Sequence, residues 1–129
     1  MSPTILVVDD NPDSVTILQS ILATRGYTVL VAESGPAALR LVEGDPRPDL
    51  ILLDVMMPEM NGLEVLQRIK EKHATAKIPV ILVTAKTHDE DVLSGYQYGA
   101  DYYITKPFTA KQLLYGIDLV LGKAGAPRG

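Results

Sequence analysis

Five short apolar runs alternate along the chain with stretches whose apolar residues recur every three or four positions. Thr4 to Val8 is a continuous β-type run, the pattern of a strand covered on both faces. Asn11 is a good N-cap and Pro12 suits a first helical turn, and Val15, Leu18, Ile21 and Leu22 then keep helical spacing, predicting a helix over 12–25 closed by Gly26. Tyr27 to Val31 reads as the second strand. Ser34 caps a helix carrying Ala38, Leu39 and Val42 that ends near Gly44, with Pro46 and Pro48 in its exit loop. Leu50 to Leu53 is the most apolar strand; Gly62 to about His73 is a helix with Leu63, Leu66 and Ile69 inward; Val80 to Val83 follows Pro79 as the fourth strand. Asp89 to Tyr98 is a more polar helix weakened by Gly95. Tyr102 to Thr105 is the fifth strand, and Thr109 caps a last helix with Leu113, Leu114, Ile117, Val120 and Leu121, closed by Gly122.

This strict alternation of strands and helices predicts right-handed crossovers and a parallel sheet with helices on both faces. Five strands joined by short loops suit a flavodoxin-like, doubly wound α/β fold with five helices and strand order 2-1-3-4-5. The 129 residues suffice for one core and not for two domains of ordinary size. No stretch approaches twenty consecutive apolar residues, and Met1-Ser2-Pro3 runs into the first strand without a basic, signal-like segment. The chain has no Cys, which excludes disulfides and thiolate metal sites and fits a cytoplasmic home. A net charge of −4 with no visible basic face argues against direct nucleic-acid binding.

The chemistry gathers where the strands end. In an open parallel sheet the carboxyl ends share one edge, which is where ligands bind. Asp9 and Asp10 end the first strand, Asp54 the third, Thr84 the fourth, and Lys106-Pro107 the fifth. Two carboxylates about 4 Å apart repel by about 4 kcal/mol at an effective dielectric near 20, so three of them call for a divalent cation such as Mg²⁺. Each residue taken alone has a plainer reading: an Asp caps a helix, a Thr fills a strand, a Lys lies on the surface. Their placement together carries the inference. His73 and His88 have no second His or Cys at ligand spacing and read as surface residues.

Asp9-Asp10, Asp54 with Met57-Pro58 and Gly62 behind it, Thr84-Ala85, and Lys106-Pro107-Phe108, in that order, resemble the receiver domain of bacterial two-component response regulators. The resemblance covers residues 4 to about 121, which sets a receiver domain over 1–121 and a flexible Gly-, Ala- and Pro-rich tail over 122–129. It implies that Asp54 is the phosphoacceptor, taking a phosphoryl group from a phosphohistidine to form an acyl phosphate. It implies Mg²⁺ held by Asp10, Asp54 and the backbone carbonyl of Met56, with Asp9 acting directly or through a water. Lys106 would give a cation to the phosphate, and Thr84 a hydroxyl. A cis peptide is implied before Pro107. Thr84 and Tyr103 would form the switch, read out on the surface of the 89–98 helix, the fifth strand and the last helix.

The partners so implied are a sensor histidine kinase or histidine phosphotransfer protein and a downstream protein target or tethered output domain, with the chain a monomer or weak homodimer. Tyr102 and the stretch Leu114-Tyr115-Gly116-Ile117-Asp118 stand where receivers that dimerise through charge pairs carry acidic and basic residues, so that dimer is not expected. Receivers also control the acyl phosphate's lifetime two positions past the acceptor and two past the hydroxyl residue. Met56 and Lys86 there cannot orient a water as a base, so slow self-dephosphorylation is expected. The competing class is a small Mg²⁺-dependent α/β phosphatase or hydrolase acting on an external substrate. Haloacid-dehalogenase-type enzymes need Asp-x-Asp after the first strand, whereas this strand ends Asp9-Asp10-Asn11, and the same acidic loop is hostile to a flavin phosphate. The reading is therefore a switch that modifies only itself.

Overall fold

In the computed structural model residues 3–85 and 98–123 are described, Thr84 and Lys123 by their backbone alone. The elements are β1 (Thr4–Val8), α1 (Pro12–Ala23), β2 (Thr28–Ala32), α2 (Gly35–Val42), β3 (Leu50–Leu53), α3 (Gly62–Glu71), β4 (Val80–Thr84), β5 (Tyr102–Thr105) and α4 (Ala110–Lys123). The five strands form one parallel sheet in the order β2-β1-β3-β4-β5, as the alternation of the sequence predicts. Four helices are described; the helix expected over 89–98 falls largely outside the described residues, as do residues 124–129 of the expected tail.

The period-two geometry of a strand divides the apolar runs into two cores. Ile5, Val7, Leu50, Leu52, Ile81, Val83 and Ile104 face Leu18 and Leu22 of α1 and Leu113, Ile117 and Val120 of α4. On the other face, Leu6, Val8, Ile51, Leu53, Val80 and Leu82 meet Ala38 and Val42 of α2 and Val65, Leu66 and Ile69 of α3. Val65 is buried where the spacing had favoured Leu63, which is half-buried. Burying each Leu or Ile contributes about 1.5–3 kcal/mol, so β1 and β3, buried along their whole length, anchor the sheet.

The expected caps form. The Asn11 side chain accepts from the Asp13 and Ser14 amides, the Ser34 hydroxyl from Ala37, and the Thr109 hydroxyl from Gln112. Gly26 lies at φ +75, where its amide donates to Ala23 and that of Tyr27 to Leu22. That cap consumes Tyr27, so β2 starts at Thr28, one residue later than predicted, and α1 ends at Ala23 rather than near 25. Lys72 is extended and stops α3 at Glu71, two residues short of His73. Gly122 does not close α4, which runs on to Lys123. A glycine stops a helix by turning left-handed, and among the described glycines only Gly26 and Gly99 do so.

Candidate functional site

Register builds the site before any side chain is considered. Val8 pairs with Leu53, the Asp54 amide donates to the Val8 carbonyl at 2.9 Å, and the Asp9 amide donates to Ala32 at 3.1 Å. The acids that follow β1 and β3 are therefore side by side at the point where the strand order reverses. Thr84 pairs with Thr105, so Lys106 leaves the sheet beside the end of β4.

Asp9, Asp10 and Asp54 each offer a carboxylate oxygen, and these three lie within 4.8 Å of one another. Asp9 and Asp54 are buried and Asp10 is exposed. Because Asn11 caps α1, neither Asp9 nor Asp10 is spent on that duty. Asp9 Oδ1 accepts from the Asn11 amide at 2.9 Å, and its Oδ2 from Lys106 Nζ at 2.9 Å. Asp54 Oδ1 accepts from the Met56 amide at 3.1 Å, while its Oδ2 lies 3.7 Å from Lys106 Nζ. The Lys106–Pro107 peptide is cis, as the resemblance implies.

Burial, above all, raises the Asp54 carboxyl above its ordinary pKa, and the neighbouring Asp9 charge adds to this; the Met56 amide and Lys106 act in the opposite sense. Among the described residues, one ammonium against three carboxylates leaves an edge of hard, anionic oxygens, a donor set suited to a divalent metal.

The loop from 54 to 61 is folded on itself. Met57 donates to Val55, Met60 to Pro58, Glu59 sits at φ 68, and the Gly62 amide donates to Val55 at 2.9 Å. Met57 is buried and Met56 is 55% exposed at the rim, with its amide on Asp54. A Cβ on Gly62 would lie 2.2 Å from the Asp54 carbonyl oxygen, so the first turn of α3 approaches the Asp54 backbone as only glycine allows.

The structure brings Asp9, Asp10, Asp54, Met56 and Lys106 together. It places the Thr84 backbone at the same edge, while the Thr84 side chain, Lys86 and His88 lie outside the described residues. Tyr103 pairs with Leu82 and packs half-buried against the core under α2 and α3. His73 is exposed, as expected. Ser14, which the sequence analysis did not single out, accepts from Lys106 Nζ at 3.2 Å. A serine one turn into a helix carries no mark of such a role, and only its position four residues past Asp10 hints that it faces the same edge.

Residues 5–118 match the response regulator receiver domain family. The chain is 38% identical over 124 residues to the Bacillus subtilis alkaline phosphatase synthesis transcriptional regulatory protein PhoP, covering 96% of this chain and 50% of that protein. It thus spans about half the length of the curated relatives it matches. Among solved structures it is similar to the phosphorylated cyanobacterial phytochrome response regulator RcpA, with TM-score 0.85, 31% identity, and 99% and 100% of the two chains covered. It is similar, too, to the receiver domain of a Pseudomonas aeruginosa sensor histidine kinase with a magnesium ion coordinated in its active-site cleft, with TM-score 0.86, 30% identity, and 95% and 99% covered. The fold, the acidic edge and these matches agree: this chain belongs to the receiver domain family of two-component response regulators.

Proposed function

We propose that Asp54 is the phosphoacceptor and that the receiver takes its phosphoryl group from a phosphohistidine on a sensor kinase or phosphotransfer protein. The observation that carries this reading is a buried carboxylate flanked by two further acids, with a lysine ammonium 3.7 Å from its Oδ2. The Met56 amide engages Oδ1, which fixes the carboxylate plane and leaves Oδ2 as the oxygen nearer the cation. In the transfer the P–N bond to imidazole breaks, a P–O bond to Asp54 forms, and the imidazole keeps the bond's electron pair and takes up a proton.

Phosphoryl transfer asks chiefly for positioning and charge neutralisation. The acidic edge fits Mg²⁺, held by Asp10, Asp54 and the Met56 carbonyl with Asp9 direct or through a water; when bound it supplies neutralising charge to the phosphoryl oxygens. Lys106 gives those oxygens an ammonium and Thr84 a hydroxyl. Thr84 and Tyr103 then act as the switch. Register supports their coupling, because Thr84 pairs with Thr105, two residues past Tyr103. Readout passes through the surface formed by the segment before β5, by β5 and by α4, to a protein target or a tethered output domain. Contact with DNA, where there is any, belongs to that other domain. We place the protein in the cytoplasm; no helix among the described residues is long and apolar enough to cross a membrane.

Incubating the protein with acetyl phosphate and Mg²⁺ and taking an intact mass tests the assignment. One added phosphoryl group that disappears in Asp54→Asn is expected. Full labelling of that variant, or turnover of the donor without labelling as an external phosphatase would give, refutes it.

A further inference from the structure

Lys106 has three ammonium protons, and the structure accounts for two of them. One goes to Asp9 Oδ2 at 2.9 Å and one to Ser14 Oγ at 3.2 Å. Asp54 Oδ2, the third group within reach, stays at 3.7 Å, an ion pair but outside hydrogen-bond length. The lysine side chain is 22% exposed and those of Asp9 and Asp54 are 2% and 8% exposed. An ammonium between two buried carboxylates would ordinarily close on both. Instead, a neutral hydroxyl on the first turn of α1 takes one of its hydrogen bonds.

We propose that Ser14 is a positioning residue that holds Lys106 toward α1 and so keeps it from bridging Asp9 and Asp54 across the mouth of the acidic edge. A bridging ammonium would neutralise the two buried carboxylates that attract a divalent ion, and the protein's own cation would compete with the metal. The Ser14 hydroxyl takes one proton without adding charge. Both Asp54 oxygens thereby stay free of Lys106 hydrogen bonds, and the ammonium waits one side chain away from where a phosphoryl group would arrive. This inference rests on reading Asp9, Asp10 and Asp54 as the metal-holding cluster.

The geometry gives an ordered set of expectations for Mg²⁺ binding, measured by calorimetry on the intact chain. Ser14→Ala should weaken Mg²⁺ about three- to tenfold, the factor that one neutral hydrogen bond represents. Ser14→Thr keeps the hydroxyl and should restore the wild-type value. Lys106→Ala removes the competing cation and should tighten Mg²⁺. In that background Ser14→Ala should change nothing, because Ser14 acts only through the lysine. An Mg²⁺ affinity in Ser14→Ala equal to or tighter than wild type overturns the proposal. A loss that persists in the Lys106→Ala background overturns it too, because Ser14 would then act on the helix and not on the ammonium. If the wild type itself shows no Mg²⁺ binding, the cluster reading falls first, and the two failures are distinct.

Discussion

Gly62→Ala is the substitution whose consequence the structure states most sharply. Gly62 is the first residue of α3, behind the Asn61 cap, and its φ is not positive, so alanine is allowed there by the backbone. What alanine meets is the backbone of Asp54 and Val55. Its Cβ would lie 2.2 Å from the Asp54 carbonyl oxygen, 2.7 Å from Val55 Cα and 2.8 Å from the Asp54 carbonyl carbon, where Cβ atoms essentially never approach closer than 3.0 Å. All three atoms are backbone, so relief requires α3 or the end of β3 to move by most of an ångström. Overpacking of this kind costs about 1–3 kcal/mol, and rigid neighbours put it at the upper end. A Gly-to-Ala change returns about 0.4–1 kcal/mol through the unfolded chain, leaving a net loss of about 2–3 kcal/mol. For a chain of this size the melting midpoint should fall by about 10 °C.

Gly35→Ala is the matched control. Gly35 also opens a helix behind a capping residue, but its Cβ would meet the side chain of Met60, at 2.7 Å from Sδ and 2.9 Å from Cγ, and an unbranched thioether can turn away. Its midpoint should stay within about 4 °C of wild type, since the same return from the unfolded chain offsets a small repacking cost. Both variants are followed by far-UV circular dichroism in urea and on heating, with and without Mg²⁺. Gly62→Ala should also lose most of its Mg²⁺ response at temperatures where it is folded, because the Asp54 and Met56 backbone is displaced. Two variants that melt together refute the reasoning, since they differ only in what their new methyl group touches.

Further expectations concern the acidic edge. Because burial raises the Asp54 pKa, the folded protein favours its protonated form; that contribution is complete below the ordinary 3.8 and is lost as pH rises through the raised value. At neutral pH ionised Asp54 is thus a burden on the metal-free fold. Asp54→Asn in EDTA should melt above wild type at pH 7, with the advantage shrinking toward pH 4; a variant that melts lower at pH 7 contradicts this. Asp10→Asn, which removes one of three clustered carboxylates, should weaken Mg²⁺ and shrink the Mg²⁺-induced rise in the urea midpoint; an unchanged rise would count against the site. Met56→Asn with Lys86→Glu should shorten the acyl phosphate's lifetime once the donor is removed, and equal decay of wild type and double variant would show that water access is governed elsewhere.

The sheet was legible in the sequence because a strand covered on both faces admits nothing but apolar residues, and Thr4–Val8 and Leu50–Leu53 say so without ambiguity. Caps were legible for a similar reason, since Asn11, Ser34 and Thr109 each stand where a helix leaves donors unpaired. Boundaries were not. Gly26 and Gly122 look alike in sequence, yet only Gly26 turns left-handed, where the chain must reverse into β2. The acids and Lys106 were legible because strand ends converge in this topology. Their pairing was not, for it depends on side-chain torsions: Lys106 chooses Asp9 and Ser14 over Asp54 by less than an ångström. Gly62 stood in the motif, but its reason, a helix pressed against the Asp54 carbonyl, appears only in three dimensions.

On the reading proposed above, the charge balance of the edge accounts for one site both attracting a metal and signalling. Among the described residues, three carboxylates against the Lys106 ammonium leave two negative charges, which one divalent ion would match. Converting the Asp54 carboxylate to an acyl phosphate replaces about one negative charge by nearly two, set further out from the sheet. That added charge would draw Lys106 toward the phosphoryl group and away from Asp9. On that reading Lys106, just past β5, is the charged side chain placed to follow that charge, whereas α1 is fixed by its cap and β3 by burial on both faces. The burial pattern differs along β5: Ile104 is buried, whereas Tyr102 and Tyr103 are half-buried and Thr105 is exposed. Of the two strands that lead into the site, fully buried β3 and part-exposed β5, it is β5 that a change drawn toward the phosphoryl group would move at the lower cost in buried contacts.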